Sequence, residues 1–262
     1  MWNSIKRDVN CILKSKYFYM CISIVIISCI IYYLVATRES GVLSESKIDT
    51  VGMFIAGAAF HNTILDILAP MLPAIACIGL WQPYLKKNML ELKEGLCNGK
   101  YIMSRSISTF IVGGLVFAVG FLVYILICVV FNPNSQGEEI LLFYDYSYIY
   151  STNSFIYTII YIARATLFGS IYSLFSMSFL LITKNISMYI IIPSAVYFCA
   201  VYLGVLFPPI IKEMIFWITP IYTFGLESLS FSEIKSIVEL LSIFVVSIIL
   251  IYYSYNKEQV EK

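Results

Sequence analysis

Three ionisable side chains, Asp66, Arg164 and Glu239, fall inside stretches of this sequence that are otherwise apolar. Arg164 lies ten residues beyond Ser154, where its apolar stretch begins, and at about 1.5 Å per residue that is roughly 15 Å of helix. A lone Arg near the middle of a bilayer costs about 3 kcal/mol on insertion scales, so such a group faces protein or water and takes a partner. Asp66 and Glu239 lie near the ends of their own stretches, where a carboxylate meets an upward-reaching guanidinium or snorkels to the interface. The expectation is an ion pair of Arg164 with Asp66 or Glu239, acting as a gate or as a staple between helices. A contact to cargo is the other role open to Arg164.

Other chemistry lacks its parts. Gly95 and Gly99 precede Lys100 as in a phosphate-cradling loop, but three residues separate the glycines and Tyr101 follows the lysine. That loop requires four residues and a Ser or Thr that reaches magnesium. Glu138 and Glu139 suggest intramembrane proteolysis, yet no second polar constellation stands in the spans to activate water. His61 is the only histidine, and the seven cysteines (Cys11, Cys21, Cys29, Cys77, Cys97, Cys128 and Cys199) show no metal-ligand spacing. The sequence therefore predicts no catalytic, metal or directly bound cofactor site, and no enzyme activity of the chain's own.

The elements that position these residues are set by composition. Of 262 residues, 60% are hydrophobic and 13% charged, and the mean hydropathy is +0.85. Soluble domains carry roughly 25% charged residues, so this is the composition of an integral membrane protein. A net charge of +1 offers no attraction to nucleic acid.

A single all-α, multi-pass transmembrane domain over 1–262 is predicted. Residues 1–16 read as an amphipathic interfacial helix, with Trp2, Ile5, Val9, Ile12 and Leu13 at helical spacing and Lys6, Arg7, Lys14 and Lys16 on other faces. Six spans follow at about 17–36, 61–81, 106–131, 154–182, 186–207 and 235–255. The second is bent by Pro70 and Pro73. A charged segment, 82–105, follows it, and a broken apolar stretch, 208–233, precedes the last span. Segments 1–16, 82–105, 183–185 and 256–262 hold twelve basic residues against five acidic, whereas the opposite loops hold four against nine. The positive-inside rule then puts both termini in the cytoplasm of a cell membrane. Within the bundle, Gly114 with Ala118, and Ala165, Gly169 and Ser173, are spaced to let helices approach closely.

This order of elements resembles the transmembrane subunit of a type-2 ABC transporter, the permease class of many bacterial exporters. The local residues carrying the likeness are Pro70 and Pro73, then Glu91, Glu94 and Gly95, then Arg105 and Ser106 leading into the third span. The resemblance implies an elbow helix over Trp2–Lys16 and an outer re-entrant element over Pro208–Phe231. It also implies a coupling helix over Pro83–Glu94 resting in a groove of a partner ATPase, with Leu85, Met89 and Leu92 as its apolar stripe beside Glu91 and Glu94. ATP would act only through that separately encoded ATPase. A second permease copy or a paralogous permease would complete an export path for a peptide antibiotic or bacteriocin, a drug or a cell-envelope molecule. No large extracellular domain is present, unlike the macrolide-exporter type. A stand-alone secondary transporter or channel, and a membrane immunity or assembly protein, are the alternatives.

Overall fold

The computed structural model describes residues 1–39, 50–58, 63–86, 99–131, 154–206 and 232–260. Among these residues every regular element is a helix: α1 (Trp2–Leu13), α2 (Lys16–Glu39), α3 (Thr50–Ala58), α4 (Thr63–Leu68), α5 (Leu72–Lys86), α6 (Gly99–Phe131), α7 (Ser154–Thr183), α8 (Ile186–Leu206) and α9 (Ser232–Val260). Four of them hold apolar windows long enough to cross a bilayer, at Lys16–Val35, Gly99–Phe131, Thr158–Thr183 and Leu240–Lys257. The chain is a membrane-embedded helical protein. Helices satisfy their own backbone hydrogen bonds, which hydrocarbon cannot do for them.

The centre is α7. Its spanning window is 78% buried, against 33%, 39% and 22% for those of α2, α6 and α9. It packs along α6, with α8, α9 and α5 also against it. The α6–α7 contact is made by missing side chains: a Cβ on Gly113 would collide with Ser173 and the Gly169 carbonyl, and one on Gly114 with Ser170 and Thr166. Gly113 thus faces Gly169 and Ser173, and Gly114 faces Thr166 and Ser170, whereas Ala118 is only partly buried. Ser173 Oγ donates across the seam to Thr109 O at 2.9 Å. Several buried serine hydroxyls on these helices return to their own helix, as Ser108 does to Ser104 O at 2.9 Å and Ser176 to Tyr172 O at 2.9 Å. Such back-bonding lets a hydroxyl sit in an apolar bundle with its donor met, whereas Ser104 Oγ and Thr109 Oγ1 are buried with no hydrogen-bond partner.

Between α2, α6 and α7, the short apolar helix α3 is held by aromatic rings. Phe54 meets Phe121 edge-on at 6.0 Å and Tyr161 at 5.6 Å. The hydroxyls of Tyr124 and Tyr161 donate to Met53 O at 3.2 Å and to Ala58 O at 2.7 Å. Ala58 is the last residue of α3, where helix carbonyls commonly take partners from outside the helix, and the tyrosine of a neighbouring helix supplies one.

Several boundaries differ from the sequence expectation for physical reasons. Pro70 lies in a turn and breaks the second span into α4 and α5, because proline cannot continue the hydrogen-bond ladder. α5 then runs unbroken through Pro83 to Lys86, so Pro83 does not open a separate helix. α6 starts at Gly99 instead of Ser106 and has 33 residues, roughly 50 Å of helix against a hydrocarbon core of about 30 Å. Its first turns therefore reach the interface. Lys184 (φ 52°) closes α7 in the left-handed region and Asn185 Oδ1 caps α8 through Ser187 N at 2.8 Å, giving the tight reversal expected there. The loop at 132–153, the re-entrant element over 208–231 and most of the coupling segment lie outside the described residues.

Gly113→Leu and Gly169→Leu should each destabilise the protein by about 3 kcal/mol, the upper part of the overpacking range, because the opposing atoms include backbone. Val246→Leu, on the exposed face of α9, should stay within about 0.5 kcal/mol. Thermal unfolding in detergent micelles reads both.

Candidate functional site

The N-terminal helix carries the least expected feature. Its protein-facing line is Ile5, Asp8 and Ile12, spaced three and four residues apart and all buried. Trp2 belonged to the apolar face by its spacing, yet it is 64% exposed, with the Lys6 ammonium 5.6 Å from its ring centre. Val9 and Leu13 pack partly against the core. The acid at the centre of this line, Asp8, has a partner on α6.

That partner is Arg105. Its Nε lies 3.3 Å from Asp8 Oδ2, and both side chains are nearly inaccessible, at 7% and 6% exposure. The guanidinium also stacks over Tyr101, 5.3 Å from its ring centre. Arg7 approaches the other carboxylate oxygen at 3.8 Å but is largely in solvent, where such a contact contributes little. Burial pushes the Asp8 carboxyl above its ordinary 3.8, and Arg105, then Arg7, pull it back only in part. Desolvation therefore outweighs the attraction. The pair fixes where α1 sits more than it stabilises the fold.

The joint that follows is equally defined. Ser15 Oγ accepts from Tyr17 N at 3.3 Å and starts α2 as α1 ends. A Cβ on Gly79 of α5 would stand 3.3 Å from the same hydroxyl oxygen. α1, the start of α2, the later turns of α5 and the start of α6 thus share one side of the molecule.

The sequence-predicted site residues fare unevenly. Leu85 lies in the last turn of α5, with its side chain outside the described residues, as are Met89, Glu91, Leu92 and Glu94 entirely. Arg164 lies on α7, part-exposed, one turn from Tyr161. Asp66 on α4 and Glu239 on α9 have side chains outside the described residues, and so does the pairing expected of them with Arg164. Asp8 was the residue that sequence reasoning missed. The signal was available: Asp8 falls midway between Ile5 and Ile12 on one helical face, and Arg105 is the basic residue nearest the start of the third apolar run.

No family model matches this chain, and no curated protein or solved structure matches it.

The balance at Asp8 has a signed consequence. A folded-state value above the unfolded one means that the fold holds this proton more tightly, so Asp8 adds stability as pH falls through its raised value towards 3.8. Asp8→Asn should accordingly change stability by less than about 1 kcal/mol, since Arg105 keeps the Tyr101 ring. Arg105→Gln strands the carboxylate and should cost about 3 kcal/mol at pH 8. That loss should shrink at pH 5, because without the guanidinium the carboxyl rises further and protonates. Unfolding in detergent at the two pH values checks the asymmetry.

Proposed function

We propose that this chain is the transmembrane permease subunit of a type-2 ABC exporter. In this reading α5, with the broken turn before it, and α8 complete six spans, α1 is the elbow helix, and both termini are cytoplasmic. The stretch from the end of α5 through residues 87–98 is the coupling element for a separately encoded ATPase. A second permease copy or a paralogue forms the path with it. The chain contributes path and linkage, while ATP is bound and hydrolysed by the partner.

One observation supports this reading best. The charged segment leaves α5 and enters α6 on the side where α1 lies, and α1 is fastened to α6 at Arg105. A partner pushing on residues 87–98 would therefore move α6 and the interfacial helix together. A stretch of a few residues displaced at the membrane surface would reach α7 through the glycine seam. The two short apolar helices, Leu72–Trp81 and Ile186–Cys199, have the composition for the remaining crossings, although each is shorter than the ~20 residues of a straight span.

The test is recovery of the ATPase. Met89→Asp with Leu92→Asp puts two carboxylates on the face proposed to dock. A buried unpaired charge costs about 3 kcal/mol or more, so the ATPase co-purifying from membranes should fall about 100-fold while insertion of the permease stays normal. Undiminished recovery, or full transport by the purified chain without any ATPase, would contradict the proposal.

A further inference from the structure

A groove of about 590 Å³ runs between the first three turns of α6 and the three turns of α9 from Phe244 to Tyr255, with Leu174 of α7 on its floor. It is bounded at both ends. At one, the Tyr255 hydroxyl lies against Gly99, 3.5 Å from where a Cβ would stand. At the other, the rings of Phe110 and Phe244 meet edge-on at 6.2 Å. Gly99 to Phe110 and Phe244 to Tyr255 are twelve residues each, or roughly 16 Å of helical rise from end to end, close to half of a ~30 Å hydrocarbon core.

The chemistry of the walls selects the occupant. Ile102, Ile248 and the Phe rings are apolar, and the one mid-groove hydroxyl, on Ser106, is already donated to Ile102 O at 2.9 Å. Nothing there rewards a peptide backbone or a sugar, and water would find no partners. The Tyr255 end is different. Lys100 follows Gly99 directly, Lys257 stands in the last turn of α9, and Ser254 donates to Leu181 O at 3.2 Å, which brings the end of α7 and Lys184 to the same level. Three cations thus belong to the helix ends at this level of the groove.

We propose that this groove seats one acyl chain of an anionic membrane phospholipid, with its phosphate held at the Lys100, Lys184 and Lys257 end. A second copy of the chain is the poorer occupant, because a two-fold contact on this face would bring the same cations towards each other. The proposal does not rest on the permease reading. A lipid wedged between α6 and α9 would couple their separation to the composition of the leaflet on the N-terminal side, whatever the chain transports.

Native mass spectrometry of the full chain, released from micelles holding equal phosphatidylglycerol and phosphatidylcholine, tests it. One retained phosphatidylglycerol per chain is expected. The variant with Lys100→Gln, Lys184→Gln and Lys257→Gln, all at accessible positions, should lose that preference by roughly tenfold or more. Ser106→Trp with Ile248→Trp should fill the groove and lose retained lipid of both kinds. A second measurement needs no variant: phosphatidylglycerol carrying a mid-chain diazirine should label peptides from 99–110 and 244–255. Equal retention of the two lipids, unchanged preference in the lysine variant, labelling confined to other helices, or a groove-filled variant that loses only a dimer would each overturn the assignment.

Discussion

Two helices reach backbone contact only where the residues between them carry almost no side chain, and α6 and α7 meet that condition at Gly113, Gly114 and Gly169. In lipid there is little hydrophobic drive to bring helices together, so close packing and cross-helix hydrogen bonds must do it. The seam supplies both, through the short approach and through Ser173 donating to Thr109 O. Everything else is placed relative to this pair. α8 and α9 lie on α7, while α1, α2 and α3 lie on α6. The aromatic cluster around Phe54 sits where α3 reaches both helices.

The ion pair between Asp8 and Arg105 works on a different principle. Both side chains are nearly closed to solvent, and their attraction does not recover the loss of hydration at Asp8. Ile5 and Ile12 supply the apolar contact that keeps α1 on the bundle, worth about 1.5–3 kcal/mol each if fully buried. Apolar contact alone is indifferent to rotation and sliding. A carboxylate with one counter-charge at one level of α6 is not, and it is the contact expected to set the register of α1.

Four of the six expected spans were legible in the sequence, because an uncharged apolar run of about twenty residues matches the thickness of a bilayer and little else. The helix ends at Leu13, Phe131, Thr183 and Ile186 follow from Ser15, the polar loop and the Lys184–Asn185 pair. What was not legible depends on the other helix. Gly113 is ordinary until Gly169 is known to face it, and Asp8 looks like a solvated acid until Arg105 arrives from ninety-seven residues away. Proline was under-read at Pro70, where a bend became a break, and over-read at Pro83, where a helix continued. The groove between α6 and α9 could not be seen at all, since its walls look like any lipid-facing run until their two closing contacts are known. The charges at Asp66, Arg164 and Glu239 were easy to find, but choosing their partners needs side-chain geometry beyond the described residues.

The central claim is that α1 is held in one orientation on the α6–α7 core by its buried ion pair. Pulsed electron spin resonance can measure that directly, with labels at Asn10 on the exposed side of α1 and at Ile182 in the last turn of α7. In lipid nanodiscs the native pair should give one narrow distance distribution. The double variant Asp8→Asn with Arg105→Gln should broaden it while the unfolding temperature stays nearly unchanged. An equally narrow, unshifted distribution in the double variant would show that apolar contact alone orients the helix, and would contradict the account.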